Sequence, residues 1–485
     1  MGVFRRKFLS LILTFVLVLV SIFMIIFSQE HSQNDPLVLT TFSLNILVSV
    51  CGLIYSVYKY SFSFDLMFWI FTIYFFGTVP MLQYLTNTYT WNLVTNSDEV
   101  LVVNIIVFVW ILFYAFVRYS RIVEKVRVSL KNKGKMFFET RPHFFSKRPF
   151  VFVREKYDAI VCEKKYTIRS KILNVMLGIS VLITIYYLIV VGFENLIFRS
   201  TSTPLNLNVA ETLLLTHGFN NILLFTTVFS VLDAQNNGKI NVRVIISFLC
   251  LVISCFPTGL ARNMMASFYG GLFIIVLGRS KIGRWFPALI LGGLIFVFPA
   301  LNVFRLVIDD FGENFGALLT YSLKNAYLEG HYDAHQMIIS FQHYIDKFGY
   351  CYFSQIWGAV LFFVPRAIWT SKPMGTGHTV ISELEQYYFT NVSAPLMGEF
   401  YIGFGIVGVI LGAIIIGRIL KKIDVSYWNS TSNLSLIRVI YPFSMFMFFF
   451  LLRGDLLSSW AYTFAQLFVG TVIWLLVVKR ECMHK

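Results

Sequence analysis

The chain has 485 residues, of which 57% are hydrophobic and only 13% charged. That balance excludes a soluble globular domain and a disordered segment, and it places the chain in the membrane class. The net charge of +15 would point to nucleic acid in a soluble protein, but here the charges collect between apolar spans, so no nucleic-acid partner is expected.

Apolar runs of roughly 17–23 residues read as membrane helices. They fall at 8–27, 37–58, 64–86 and 100–117, then at 172–192, 212–232, 244–260, 263–278 and 285–303, and finally at 396–417, 434–452 and 456–478. The expected fold is an all-α integral membrane protein of about twelve spans. The segments are 1–117 (helices one to four), 118–171 (a basic loop), 172–303 (helices five to nine), 304–395 (a large mixed-polarity loop) and 396–485 (the last three helices). Arg5-Arg6-Lys7 before the first run resembles a signal peptide. The run is near 20 residues and lacks a small-residue cleavage site, so it reads as an uncleaved anchor.

With both termini cytoplasmic, 31 of the 40 Lys and Arg residues fall on the inner side. The positive-inside rule selects that orientation and turns the 304–395 loop outward. The sixteen basic residues in 118–171 read as an anchor on anionic lipid. No phosphate loop, dinucleotide-binding glycine pattern or zinc spacing occurs there. The six cysteines are scattered without metal or disulfide spacing. No cofactor and no metal are expected.

In the large loop, Asp333 to Phe348 has helical periodicity. Met337, Phe341, Ile345 and Phe348 form one stripe, with Gln336, Ser340, His343 and Lys347 opposite. That pattern predicts a surface helix. Ile356 to Val364 is apolar but too short to cross a bilayer and is stopped by Pro365, which suggests a re-entrant segment.

Arg262, Arg305, Arg366 and Arg453 lie near the predicted outer ends of helices. Arginine at that depth needs a partner or a ligand, and its planar fork suits phosphate oxygens. The bland alternatives are ion pairing and snorkelling to headgroups, and Asp455 two residues beyond Arg453 is its nearest partner in sequence. Lys372 follows Arg366 closely. Glu399 opens a membrane helix, where the dipole favours a carboxylate. His331 and His335 are four apart with Asp333 between. On one helix they would share a face, which allows metal, although no third ligand is evident. A general base drawn from His331, Asp333 or His335 is the stronger functional reading, against a plain surface role.

Pro365-Arg366, Trp369 and Lys372-Pro373 come first; then follow Glu399, Tyr401, Phe404-Gly405 and Gly408. With the Gly330–Asp333 turn and Arg262, they resemble the Wzy-type oligosaccharide repeat-unit polymerases, which include O-antigen polymerases. The residue-level resemblance covers about 260–410, and the layout covers the whole chain. It implies a glycosyltransferase of the GT-C type at the outer face of a bacterial cytoplasmic membrane. Donor and acceptor would both be undecaprenyl-pyrophosphate-linked oligosaccharides, and a chain-length regulator protein is among the partners it implies. The implied pyrophosphate ligands are Arg262, Arg305, Arg366, Lys372 and Arg453, with Glu399, Tyr401 and Trp369 toward the sugars. Two rivals belong to the same pathway. A flippase would show two similar halves and cations deep in many helices, and this sequence shows neither. An O-antigen ligase would share the architecture.

Overall fold

The computed structural model describes residues 2–26, 32–92, 95–120, 163–197, 209–282, 285–297, 316, 325, 327–328 and 330–483. The chain is an all-α, multi-pass membrane protein. Its first helices are α1 (Gly2–Ile26), α2 (Pro36–Lys59), α3 (Phe64–Thr86) and α4 (Ser97–Tyr119). After the basic segment come α5 (Ser170–Val190), α6 (Glu211–Asn237), α7 (Val242–Ser254), α8 (residues 262–282) and α9 (Phe286–Val297). The loop contributes α10 (Ala334–Phe348), α11 (Ser354–Val360) and α12 (Thr376–Leu384). The chain then runs through α13 (Leu396–Asn429), α14 (Leu436–Arg453) and α15 (Leu456–Val477).

Eight of the described helices, α2–α6 and α13–α15, are long and apolar enough to cross a membrane. Of the other four expected spans, the first falls within the continuous 25-residue α1, while α7 and α8 are shorter or interrupted. Helix α7 has 13 residues and stops before Pro257, whose ring cannot continue a helix. Helix α8 contains a π turn at Ala266–Gly270 and a break at Gly278, with φ +70°. Helix α9 is described as far as Val297.

The core has two parts joined by α14. Val439, Phe443 and Met447 repeat every four residues and face α5–α8 and α15. Tyr441, Met445, Phe448 and Leu452 face α2, α3 and α13. Residues three to four apart share a helix face, so one helix can serve both cores. Helix α3 is apolar on every side and 94% of its apolar window is buried, as expected for a helix surrounded by others. In α13, Phe404 and Gly405 break the helix, and Gly405 takes φ +58°, which only glycine adopts without strain.

Two short strands were not expected. β1 (Glu163–Ile168) and β2 (Val478–Met483) pair antiparallel, with Lys165 opposite Glu481. They put the start of α5 and the end of α15 on one face of the bundle, the strand face. The opposite end, where Asp455 caps α15, is the loop face.

The surface-helix expectation for Asp333–Phe348 is corrected. The helix begins at Ala334, and its first half is buried against α4 and α13, with Gln336 and Ser340 each 2% exposed. Phe348, at the end of the apolar stripe, is 46% exposed. Gln336 Nε2 donates to the Thr90 carbonyl, and in the more exposed second half His343 Nε2 lies 2.8 Å from Glu99 Oε1.

Candidate functional site

The turn at 330–333 brings the sequence candidates together. Asp333 is fully buried. Its Oδ2 accepts from the Trp91 indole at 2.9 Å and from the Ser393 backbone N–H at 3.1 Å. Its Oδ1 accepts from the Ser393 hydroxyl and faces Arg453 Nη2 at 3.5 Å. A carboxylate offers about four lone-pair directions, and these donors occupy them. Asp333 is therefore a positioning group, holding Arg453, Trp91 and residue 393 in register.

Arg453 Nη2 also donates to the Gly330 carbonyl at 3.1 Å. Arg262 Nη2 lies 3.5 Å from His331 Nε2. Both guanidiniums act on the buried Tyr332 phenol, which loss of solvent pushes well above its usual range. The Tyr332 ring stacks on Phe75 at 4.8 Å and leans on Tyr327 at 5.4 Å. Two permanent cations and one half-buried imidazole thus converge at the loop face, beside a neutral phenol. The neighbour assumed for Arg453 is corrected: it pairs with Asp333, whereas Asp455 caps α15 through the N–H groups of Leu457 and Ser458. Asp455 also accepts from the Gly377 N–H at 3.3 Å.

His335 does not join this group. His331 precedes the helix, so the two histidines do not share a helical face. His335 is 3% exposed, its ring packs on Phe42 at 5.4 Å, and its Nε2 is 2.9 Å from Asn104 Oδ1. Burial pushes its imidazole down to about 3. The fold thus favours the neutral ring. That contribution is complete above the unfolded value of about 6.5 and is lost as pH falls through about 3. The melting temperature of purified protein should fall across this window, and His335→Gln should remove part of the slope. An unchanged pH dependence in the variant would overturn this assignment.

The remaining candidates sit elsewhere on the loop face. Glu399 is 1% exposed; Thr376 Oγ1 donates to its Oε2 at 2.6 Å and the Leu456 N–H to its Oε1 at 3.1 Å. It joins the starts of α12, α13 and α15. The exposed Arg366 donates to the Lys372 carbonyl and to the Pro373 carbonyl at 3.0 Å. Lys372 Nζ donates to the Phe362 carbonyl and to that of Val364 at 3.0 Å. The Pro-Arg…Lys-Pro stretch is thus a hairpin stapled by its own two cations. Partial burial and the neighbouring Arg366 hold the Lys372 ammonium below its usual range. Trp369 Nε1 donates to Ser371 Oγ at 3.1 Å, and Tyr401 is half-buried against the core. Arg305 lies outside the described residues. Among the described residues no three His, Cys, Asp or Glu side chains are placed to hold a metal ion.

Trp91 and Ser393 were not singled out from sequence. Trp91 lies in the loop between α3 and α4, and Ser393 lies 60 residues beyond Asp333 in the same large loop, and no motif spacing joins either to it. Comparison with family models, curated proteins and solved structures finds no match.

Proposed function

We propose that the protein is a glycosyltransferase that polymerises undecaprenyl-pyrophosphate-linked oligosaccharide repeat units into a surface polysaccharide such as O-antigen. The observation that carries this reading is the meeting of Arg262, Arg453 and His331 around the 330–333 turn. On this reading the bundle has twelve spans and a GT-C-type layout. It lies in a bacterial cytoplasmic membrane with both termini inside and the loop face outward.

A pyrophosphate leaves readily once its charge is held, and two guanidinium forks supply fixed positive charge without reorganisation. Arg262 and Arg453 take that role. His331 accepts the proton of the attacking acceptor hydroxyl, for which it needs hydrogen-bond reach. The oxygen bonds to the donor's anomeric carbon as the bond to the pyrophosphate breaks, and undecaprenyl pyrophosphate leaves. Asp333 fixes the Arg453 fork. Glu399 and the Arg366–Lys372 hairpin hold the surrounding loop in place.

The test is reconstitution. Purified protein in liposomes, supplied with lipid-linked repeat units and EDTA, should give a ladder of chain lengths. Movement of single units across the bilayer with no ladder would replace this reading with a flippase. Product formed only on lipid A core would replace it with a ligase.

A further inference from the structure

The loop face carries a set of aromatic rings beside the reaction site that the chemistry above does not use. Trp91 has φ +63° and ψ +25°, a left-handed backbone that a bulky side chain adopts only when its surroundings enforce it. Two neighbours do so. Its indole N–H is tied to Asp333 Oδ2 at 2.9 Å. Its ring lies on Gly330, where a Cβ would come within 2.6 Å. The ring then stacks on Phe389 at 5.4 Å and 23° and meets Tyr387 at 5.4 Å. Tyr388 packs on Tyr387 at 4.4 Å. Phe389 is 41% exposed and Tyr388 88% exposed. Tyr388 thus forgoes most of the burial that usually holds an aromatic in place, and Phe389 a large part of it.

Exposed Glu383 and Glu385 lie just before the rings and disfavour an anion.

A neutral sugar chain has the matching chemistry. Its C–H faces carry slight positive charge and lie on the negative faces of aromatic rings. We propose that Trp91, Tyr387, Tyr388 and Phe389 form a glycan platform that guides the oligosaccharide of one substrate toward His331. This rests on the polymerase reading for which substrate the glycan belongs to, but not for the binding itself.

The probe is the soluble oligosaccharide released by mild acid from the lipid-linked repeat unit. Saturation-transfer NMR should show magnetisation passing from the wild-type protein in nanodiscs to its ring protons. Tyr388→Ala with Phe389→Ala should weaken that binding about tenfold, the scale of one stacking interaction. The same variant should shorten the reconstituted product ladder. Tyr388→Phe with Phe389→Trp should restore both. Tyr388→Ala alone, at so exposed a position, keeps the test open if the double variant unfolds. Absence of saturation transfer from wild type overturns the platform, whether or not the protein polymerises. So does an unchanged binding signal and ladder in the alanine variants. A saturation-transfer signal that wild type gives and the alanine variants do not, with no polymerisation by wild type, keeps the platform and removes the polymerase reading.

Discussion

On the polymerase reading proposed above, Arg453→Lys should lower repeat-unit polymerisation about a hundredfold or more while the protein stays folded in the membrane. The charge survives this change and the planar fork does not. One nitrogen of that fork, Nη2, already reaches both Asp333 Oδ1 at 3.5 Å and the Gly330 carbonyl at 3.1 Å. The guanidinium is thus oriented before any substrate arrives, and pre-set donors at a developing charge are worth about 2.7–4 kcal/mol in rate. Lysine has a flexible stem and no plane to hold. The alanine variant is less informative, because it also strips a buried carboxylate of its cation, which is itself destabilising. Arg366→Lys is the contrast. Its fork serves the carbonyls of Lys372 and Pro373 on an exposed hairpin, so its effect should be small, within about threefold. Both are read as initial rates with lipid-linked repeat units in liposomes, with the amount of folded protein measured alongside. A full ladder from Arg453→Lys, with loss in Arg366→Lys, would move the phosphate role from the 330–333 turn to the hairpin.

The contrast also shows what the amino-acid order reveals. Long apolar helices were legible because burial in lipid imposes a length and a composition that local windows report. The convergence of Arg262, Arg453, His331 and Asp333 was legible only as a set of suspicious charges, each costly where it stood. Which charge meets which was not. Sequence proximity offered Asp455 to Arg453, but α15 takes Asp455 as its cap and Arg453 reaches back to Asp333. Helical spacing offered His331 and His335 as a pair, but the helix starts at Ala334 and separates them. Trp91 completes the Asp333 shell from another loop and Ser393 from 60 residues further along the same one, and such loop contacts have no period to read. The Pro-Arg…Lys-Pro stretch stood out as a motif, yet its cations bind their own backbone. Repeated polar residues in a loop mark structure as readily as chemistry.

The largest effect on stability is expected far from this site, at the strand face. Arg118→Met should destabilise the protein by about 3–5 kcal/mol. Arg118 closes α4 at 4% exposure and lies between Asp65 of α3 and Asp424 of α13, which are 2% and 0% exposed. Its Nε is 3.3 Å from Asp65 Oδ1, and its Nη2 contacts Asp424 Oδ2. Tyr114 and Tyr119 donate to Asp65 at 2.8 Å each, and Tyr441 to Asp424 at 2.5 Å. The Phe64 N–H adds a fourth donor, at 3.1 Å from Asp424. Two buried carboxylates thus face one buried cation, and deleting the cation leaves two uncompensated charges where solvent cannot reach. Breaking such a group is far costlier than replacing it whole. Arg118→Met combined with Asp65→Asn and Asp424→Asn should therefore recover most of the loss, since the amide oxygens still accept from the tyrosines. Melting temperature in detergent and the amount of protein in the membrane are the measurements. Polymerisation per folded molecule should be unchanged in the triple variant, because the cluster lies at the opposite end of α4 from Trp91 and the 330–333 turn. If Arg118→Met melts with wild type, or the triple variant is no better than the single one, the three helices are held by their apolar contacts and the ionic cluster is incidental to them.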